Sequence, residues 1–188
     1  MADVTDGALE DRVREWLGQD HRFEHCKRVA GLAVELARAH GVDERQAYLA
    51  AMLHDLARLY SAKRLLTECE QRGVPIDEYA RNNPIVLHAP LAAVLAGESF
   101  GVTDPQVLSA IAKHTLADKE MSPLDAVVYL ADTLEPGRTF EAREGLAALA
   151  ATDLFGALRV TIENSLRYLQ ESRIEPAPQT AQALAALR

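Results

Sequence analysis

The segment Ala51-Met52-Leu53-His54-Asp55-Leu56-Ala57 places an imidazole and a carboxylate side by side within an apolar run. Burying either group costs free energy unless it finds a partner. For His54 alone, one backbone hydrogen bond would be a sufficient explanation. The doublet becomes informative because other histidines and a second aspartate occur in similar apolar surroundings elsewhere in the chain.

Apolar residues around this segment recur at intervals of three and four rather than two, which predicts helices and almost no strand. Asp20 is predicted to cap a helix that runs to about His40 and stops at Gly41. Asp43 is predicted to cap the next helix, which carries the His54-Asp55 doublet, and the small residues of that helix would allow close packing. The predicted fold class is therefore all-α.

Prolines break the helical pattern between Gly73 and Pro90, because residues that precede proline are pushed out of the α region. A loop with short turns is predicted there. An amphipathic helix is predicted to end near Glu171, followed by a short helical tail beyond Pro178. The other predicted helices begin at Ser61, Pro90, Asp104, Ser122 and about Asp153.

The composition indicates an ordinary globular protein and argues against a nucleic-acid partner. The 188 residues carry a formal charge of −8, and their lysines and arginines form no basic run. A chain of this length can bury a sufficient core without a structural metal, so any metal is predicted to be functional. We expect one domain over residues 1–188, with its core at about 18–175 and the C-terminal helical tail outside it.

The sequence also predicts a cytoplasmic protein without a membrane partner. No stretch approaches the ~18 consecutive apolar residues of a membrane span. Residues 1–6 have neither the basic segment nor the apolar segment of a secretory signal.

Six imidazole or carboxylate groups lie on or beside apolar helical faces. They are His25, His54, Asp55, His88, His114 and Asp132. Apart from the doublet, each comes from a different predicted element, so they can meet only in the folded core. Mixed imidazole and carboxylate ligands suit divalent Fe, Mn, Co, Ni or Zn. Six ligands exceed one closed tetrahedral zinc site, whereas two octahedral ions that share a carboxylate and a hydroxide would use them all.

The order of these six residues resembles that of the HD-domain metal-dependent phosphohydrolases, which implies an HD-domain helical bundle. More narrowly, the chain resembles the bacterial YqeK family of symmetrical diadenosine tetraphosphate hydrolases, over about residues 18–183. The resemblance rests on Arg22-Phe23-Glu24-His25, His54-Asp55-Leu56-Ala57-Arg58, Leu87-His88-Ala89, Ala110-Ile111-Ala112-Lys113-His114-Thr115 and the segment from Tyr129 to Arg138.

The resemblance implies two divalent ions, with iron as the first choice and Mn, Co, Ni or Zn as alternatives. One ion would be held by His25, His54, Asp55 and Asp132. The second would be held by His88 and His114, with Asp55 bridging the two. A hydroxide generated between the ions would attack phosphorus and release two ADP. His54, Asp55 and Arg58 are the predicted catalytic residues.

Four residues near the predicted ligands are candidates for binding the substrate: Arg58, Lys113, Thr115 and Arg138. Arg58 and Arg138 offer planar donor forks that suit phosphate, although each could instead be a solvated surface charge. Thr115 and Lys113 flank His114, and Lys113 could equally face water. The candidates for stacking on a base are Phe23, Tyr60, Tyr79, Phe100 and Phe140, among which the sequence does not choose.

Other functions remain open at this point. Another HD-domain enzyme could act on a nucleoside mono- or triphosphate or on a cyclic nucleotide. A regulatory HD module that binds metal without turnover is a further alternative, which the complete ligand set disfavours. A ferritin-like di-iron oxidase needs Glu-x-x-His pairs, and the chain has none. The expected partner is a dinucleoside polyphosphate or another nucleotide, and a homodimer through the helix at 153–171 is possible.

Overall fold

The computed structural model describes residues 6–187, and this part of the chain is helical without a strand. The helices are α1 (Gly7–Leu17), α2 (Asp20–His40), α3 (Glu44–Leu53), α4 (Ala62–Gln71), α5 (Glu78–Asn82), a 3₁₀ turn (Pro84–Leu87), α6 (His88–Phe100), α7 (Pro105–Lys113), α8 (Pro123–Leu134), α9 (Arg143–Ala150), α10 (Leu154–Glu171) and α11 (Pro178–Ala186). The all-α prediction is confirmed. The predicted single domain also includes residues 1–5 and 188, which lie outside the described residues.

Polar caps fix the starts of the helices that position the site. The Asp43 carboxylate accepts a hydrogen bond of 2.8 Å from the backbone of Gln46, which starts α3 where predicted. Ser122 and Asp125 form a reciprocal capping box at the start of α8. Gly41 ends α2 in the left-handed conformation, with φ of 67°.

Some predicted boundaries were wrong. Helix α6 begins at His88 rather than Pro90, because proline fits the first turn of a helix, where its missing N–H would be unpaired. Helix α2 already includes Asp20, and Gln19 occupies the cap position. The segment between Gly73 and Pro90 contains α5 and the 3₁₀ turn, and helices α1 and α9 were not predicted.

The prediction that the His54-Asp55 doublet lies inside a helix was wrong. The doublet follows the end of α3 at Leu53. Residues 54–59 continue as a series of turns. In these turns the backbone N–H of Arg58 donates to the carbonyl of Asp55 at 2.9 Å. This tighter winding follows the 3₁₀ pattern, which often occurs at helix ends.

Helix α2 lies at the centre of the bundle and packs against α1, α3 and α8. Its contact with α3 is close because small buried residues line both helices, including Ala33, Ala37, Ala47 and Ala51. Helix α7 packs against α3, α6 and α8, and α10 covers α8 and α9. Helices α3 and α8 therefore each contact both α2 and α7. None of the helices described here is both long and apolar enough to cross a membrane.

Candidate metal centre

Three of the four clustered histidines occupy equivalent positions at helix boundaries. His54 follows α3, His114 follows α7, and His88 follows the 3₁₀ turn. In each case Nδ1 lies 2.5–2.7 Å from the backbone carbonyl oxygen three residues earlier. The last carbonyls of a helix lack a partner within the helix, so a histidine placed there can satisfy one of them.

These backbone contacts set the tautomer of the three histidines. A carbonyl oxygen only accepts hydrogen bonds, so in the neutral form of each ring Nδ1 carries the proton and Nε2 keeps its lone pair. The three Nε2 atoms point toward one another in the core. This arrangement leaves them free to bind a metal ion.

His25 reaches the cluster differently because it lies within α2, where backbone carbonyls are already paired. Its Nδ1 lies 3.1 Å from the buried carboxylate of Glu135. Glu135 is held in turn by Arg28, whose Nε donates to it at 2.6 Å. A carboxylate behind a histidine ligand orients the ring and increases the basicity of its free nitrogen.

The Asp55 carboxylate lies between two groups of ligands. Its Oδ2 is 3.7 Å from His25 Nε2 and 3.4 Å from His54 Nε2. Its Oδ1 is 3.5 Å from His88 Nε2 and 4.0 Å from His114 Nε2. One oxygen thus faces each group.

Asp132 belongs to the Oδ2 side of this cluster. Its Oδ1 lies 3.1 Å from His25 Nε2 and 3.8 Å from His54 Nε2. The ligand atoms therefore form three overlapping sets, which are His25 with His54 and Asp55, His54 with His114 and Asp132, and Asp55 with His88 and His114. All of these residues are buried except Asp132, which is half-buried.

The buried nitrogens fit a site for cations. His25 Nε2 and His54 Nε2 are buried without a hydrogen-bond partner. His88 Nε2 and His114 Nε2 lie 3.1 Å apart, each with its proton on the opposite nitrogen, so that two lone pairs face each other. The Thr115 hydroxyl lies 3.2 Å and 3.0 Å from these two nitrogens and can donate its single proton to only one of them. A divalent cation would give the unpartnered nitrogens of His25 and His54 a partner and would separate the facing lone pairs of His88 and His114.

The pKa values of the cluster indicate the same chemistry. Burial and the neighbouring His54 and His88 together lower the pKa of His114 to about 3. Burial opposes the charged form of His54, yet Asp55 and Asp132 together raise its pKa to about 9. Burial would also raise the pKa of Asp55, but His54, His114 and His88 hold it well below its usual range. The two carboxylates thus attract positive charge into the core, as a metal site requires.

Three of the four candidates for substrate binding line the cavity above the cluster. This central cavity has a volume of about 390 Å³ and is lined by Arg58, Thr115 and Arg138, together with Asp55, His88, His114 and Asp132. Arg138 Nη2 lies 2.9 Å from Asp132 Oδ1, so this guanidinium already contacts a candidate ligand.

Lys113 does not line the central cavity. Its ammonium donates to the carbonyl of Glu120 at 2.5 Å and to the carboxylate of Asp125 at 3.0 Å. Because α7 ends at Lys113, the next residue turns into the core while the lysine side chain extends along the surface toward α8. We therefore leave Lys113 out of the proposed substrate site.

Sequence reasoning missed three charged residues that support the cluster. Glu135 and Arg28 orient His25, and Arg22 donates from Nη1 to Asp55 Oδ2 at 2.9 Å. Helical spacing could have identified the two arginines, because Arg22 and Arg28 lie three residues before and after His25 on the same helix. Glu135 lies beyond the end of α8 and gives no such signal.

Replacing Glu135 with glutamine is expected to weaken metal binding while the fold is retained. The amide keeps the size of the side chain but removes the negative charge behind His25. Loss of such a partner typically costs about 10- to 100-fold in metal affinity. Titration with Mn²⁺ would measure the change, and Glu144→Gln at an exposed position of α9 is the matched control. Equal affinity in the two variants would contradict this role for Glu135.

Comparison with known proteins assigns the fold and cluster to a class. The model of the HD domain family matches residues 22–137, which span His25 through Asp132. A crystal structure of an HD superfamily hydrolase from Clostridium acetobutylicum, described as involved in NAD metabolism, has a TM-score of 0.91 and 29% identity. The similarity covers 96% of this chain and 95% of that one. This protein is thus an HD-domain protein that carries a candidate site for divalent metal.

Curated relatives define its place within that class. The symmetrical bis(5'-nucleosyl)-tetraphosphatase of Bacillus subtilis is 34% identical over 161 residues, which is 86% of each chain. A probable nicotinate-nucleotide adenylyltransferase/Ap4A hydrolase of Mycoplasma genitalium is 37% identical over 157 residues, which is 80% of this chain and 43% of that protein. The chain therefore belongs to the HD domain family and, within it, to the YqeK family.

Proposed function

We propose that this chain hydrolyses diadenosine tetraphosphate symmetrically and releases two ADP. The observation that carries the proposal is the position of Asp55, whose two carboxylate oxygens face separate groups of histidines beneath an open cavity. The names of the curated relatives support this choice of substrate.

Two divalent ions, with iron as the first choice, are the proposed cofactors. One ion would be bound by His25, His54, Asp132 and Asp55, and the other by His88, His114 and Asp55. Asp55 and His54 would be the central ligands in this scheme. When bound, the ions would lower the pKa of a water molecule and neutralise charge on the phosphates.

The residues around the central cavity would position the polyphosphate. Phosphoryl transfer depends mainly on positioning and on charge neutralisation. Arg22, Arg58 and Arg138 all line the cavity and bring three positive charges to it. This local charge, added to that of the ions, accounts for phosphate binding by a chain of net charge −8. The Thr115 hydroxyl is placed to donate to a phosphate oxygen above His114.

A panel of nucleotides offered to Mn²⁺-loaded protein tests the proposal. We expect diadenosine tetraphosphate to yield two ADP, as resolved by chromatography of the products. ATP plus AMP as products, or no turnover, would contradict it. The panel should include nucleoside mono- and triphosphates, cyclic nucleotides and also NAD, because the Clostridium structure is described as involved in NAD metabolism. Metal binding without turnover of any substrate would favour a regulatory module.

Replacing Arg138 with alanine is expected to raise the KM for the substrate about 10-fold or more, because a charge-assisted hydrogen bond to phosphate is lost. Metal content should stay unchanged, since Arg138 contacts Asp132 from the cavity side and all four proposed ligands of that ion remain. Arg138→Lys should recover only part of the loss, because lysine lacks the planar fork. Loss of metal in the alanine variant would show a structural role instead.

The cytoplasmic location and the homodimer stay predictions from the sequence. Gel filtration coupled to light scattering would measure the oligomeric state directly.

A further inference from the structure

A second cavity opens directly beside the metal centre. This α10 cavity has a volume of about 690 Å³ and is lined in part by Phe140, Thr161, Asn164 and Tyr168. It shares five lining residues with the central cavity: Asp132, Thr133, Arg138, Ser165 and Leu169. The two cavities are therefore continuous, with Arg138 and Asp132 at their junction. The volume lies within the range of about 300–1,000 Å³ that is usual for small-molecule sites.

The α10 cavity presents unpaired aromatic surface. Phe140 is 41% exposed and Tyr168 is 66% exposed, although large aromatic side chains usually contribute to the core. Phe140 lies in the segment that follows Asp132 and Glu135, and Tyr168 lies on α10. Planar aromatic faces beside a site for phosphate suit a nucleobase, because every base can stack on them.

One residue that lines the same cavity, Thr161, carries a buried hydroxyl without a hydrogen-bond partner. Thr161 is only 2% exposed, and its Oγ1 is among the few buried polar side-chain atoms that are unpaired in the described residues. Leaving such a group unpaired costs free energy, so an unpaired hydroxyl on a residue that lines a cavity points to a ligand. Asn164, one turn further along α10, adds an amide that can both donate and accept.

We propose that the α10 cavity binds a nucleoside end of the substrate, a step that rests on the function proposed above. The base would stack on Phe140 and Tyr168 and would form hydrogen bonds with Thr161 and Asn164. Arg138, at the junction of the cavities, would contact the first phosphates of the same nucleotide. This placement leaves the middle of the polyphosphate chain over the ligand cluster, where symmetrical cleavage has to occur.

A cavity of about 380 Å³ on the other side, beside α11, is a weaker candidate because its polar side chains are already paired. The Tyr79 hydroxyl donates to the carbonyl of Glu175 at 3.1 Å. Gln179 donates to the carbonyl of Ala117, and Lys113 to Asp125. These groups would have to break existing contacts to bind a nucleoside.

Binding of ADP and of pyrophosphate to the Mn²⁺-loaded protein tests the proposal without relying on turnover. The two ligands share their phosphate chemistry, and only ADP carries a nucleoside. In Phe140→Ala and Tyr168→Ala we expect ADP to bind about 5- to 100-fold more weakly, which is the range for loss of one stacked base. Pyrophosphate should bind as it does to the unaltered protein. Phe155→Ala is the matched control, because Phe155 is a similarly exposed aromatic on α10 that does not line this cavity.

The variant Thr161→Val separates a ligand contact from a structural role. Valine has nearly the same shape, and the hydroxyl that it replaces has no partner in the protein, so Tm should stay the same or rise. ADP should bind about 2- to 10-fold more weakly, as expected for one lost hydrogen bond. A lower Tm with equal weakening of both ligands would indicate a structural role and would overturn this assignment.

The outcomes distinguish this site from the function on which it rests. Unchanged ADP binding in both aromatic variants would overturn the nucleoside site and leave the hydrolase proposal intact. An equal loss of pyrophosphate binding would overturn it as well, because the variants would then have altered the metal centre. Aromatic-dependent ADP binding in a protein that does not hydrolyse diadenosine tetraphosphate would instead overturn the proposed function and support the site.

Discussion

Replacing Asp55 with alanine is expected to abolish metal retention and turnover together. Asp55 is the only side chain whose two ligand atoms face both groups of histidines in the cluster. Without Asp55, the two groups of histidines share no carboxylate, and the positive charge of two ions is poorly balanced. We expect the rate to fall by about 10³-fold or more, because activation of water and charge neutralisation are lost together. Elemental analysis of anaerobically purified protein and product assays would measure both effects.

A second substitution distinguishes loss of the carboxylate charge from loss of the fold. Asp55→Asn keeps the shape of the side chain while removing the charge that pairs with Arg22 and His54. Asp11→Ala, at an exposed position of α1, is the control and should retain both metal and activity. Far-UV circular dichroism would verify the helical content of each variant. Normal activity in a folded Asp55 variant would refute the assignment.

The six clustered residues were accessible from the sequence because each lies on or beside an apolar helical face. His25 and Asp132 illustrate this, since burial of either would be unfavourable without partners. Apart from the His54-Asp55 doublet they come from different elements, so a site that uses all of them could form only in the folded core. The distances between them, and the opposite directions of the two oxygens of Asp55, depend on how α2, α3, α7 and α8 pack.

Glu135 was harder to identify because its burial is decided by residues distant in the sequence. It follows the end of α8 and precedes Pro136 and Gly137, a composition typical of an exposed turn. In the structure it is 2% exposed, since His25 and Arg28 of α2 pack against it. Helical periodicity describes one helix at a time and does not report such contacts between helices.

Lys113 and Thr161 also show that the direction and contacts of a side chain could not be predicted from the sequence. Lys113 is next to a ligand in the sequence, yet it extends away from the central cavity, because successive residues of a helix point about 100° apart. Thr161 is an ordinary position of an amphipathic helix in the sequence. Its unpaired hydroxyl becomes visible only when its neighbours are in place.

Removing the metal ions is expected to lower the melting temperature of the protein. An ion that binds the folded state and not the unfolded state stabilises it by about 2.7 kcal/mol at a free concentration 100 times its Kd. For a domain of this length each kcal/mol changes Tm by about 2–4 °C, so one ion should raise Tm by about 5–10 °C. Thermal unfolding of chelated protein, titrated with Mn²⁺, would measure the shift.

This experiment separates metal binding from catalysis. In Asp55→Asn the shift should nearly disappear, whereas in Arg138→Ala it should persist even though substrate binding is weakened, because Arg138 contacts only one ligand of the cluster. An unaltered protein whose Tm does not respond to Mn²⁺ would contradict the metal site itself. A full response without hydrolysis would leave the site in place and favour a regulatory HD module over an enzyme. The combined readings therefore test the cluster and the chemistry proposed for it as independent claims.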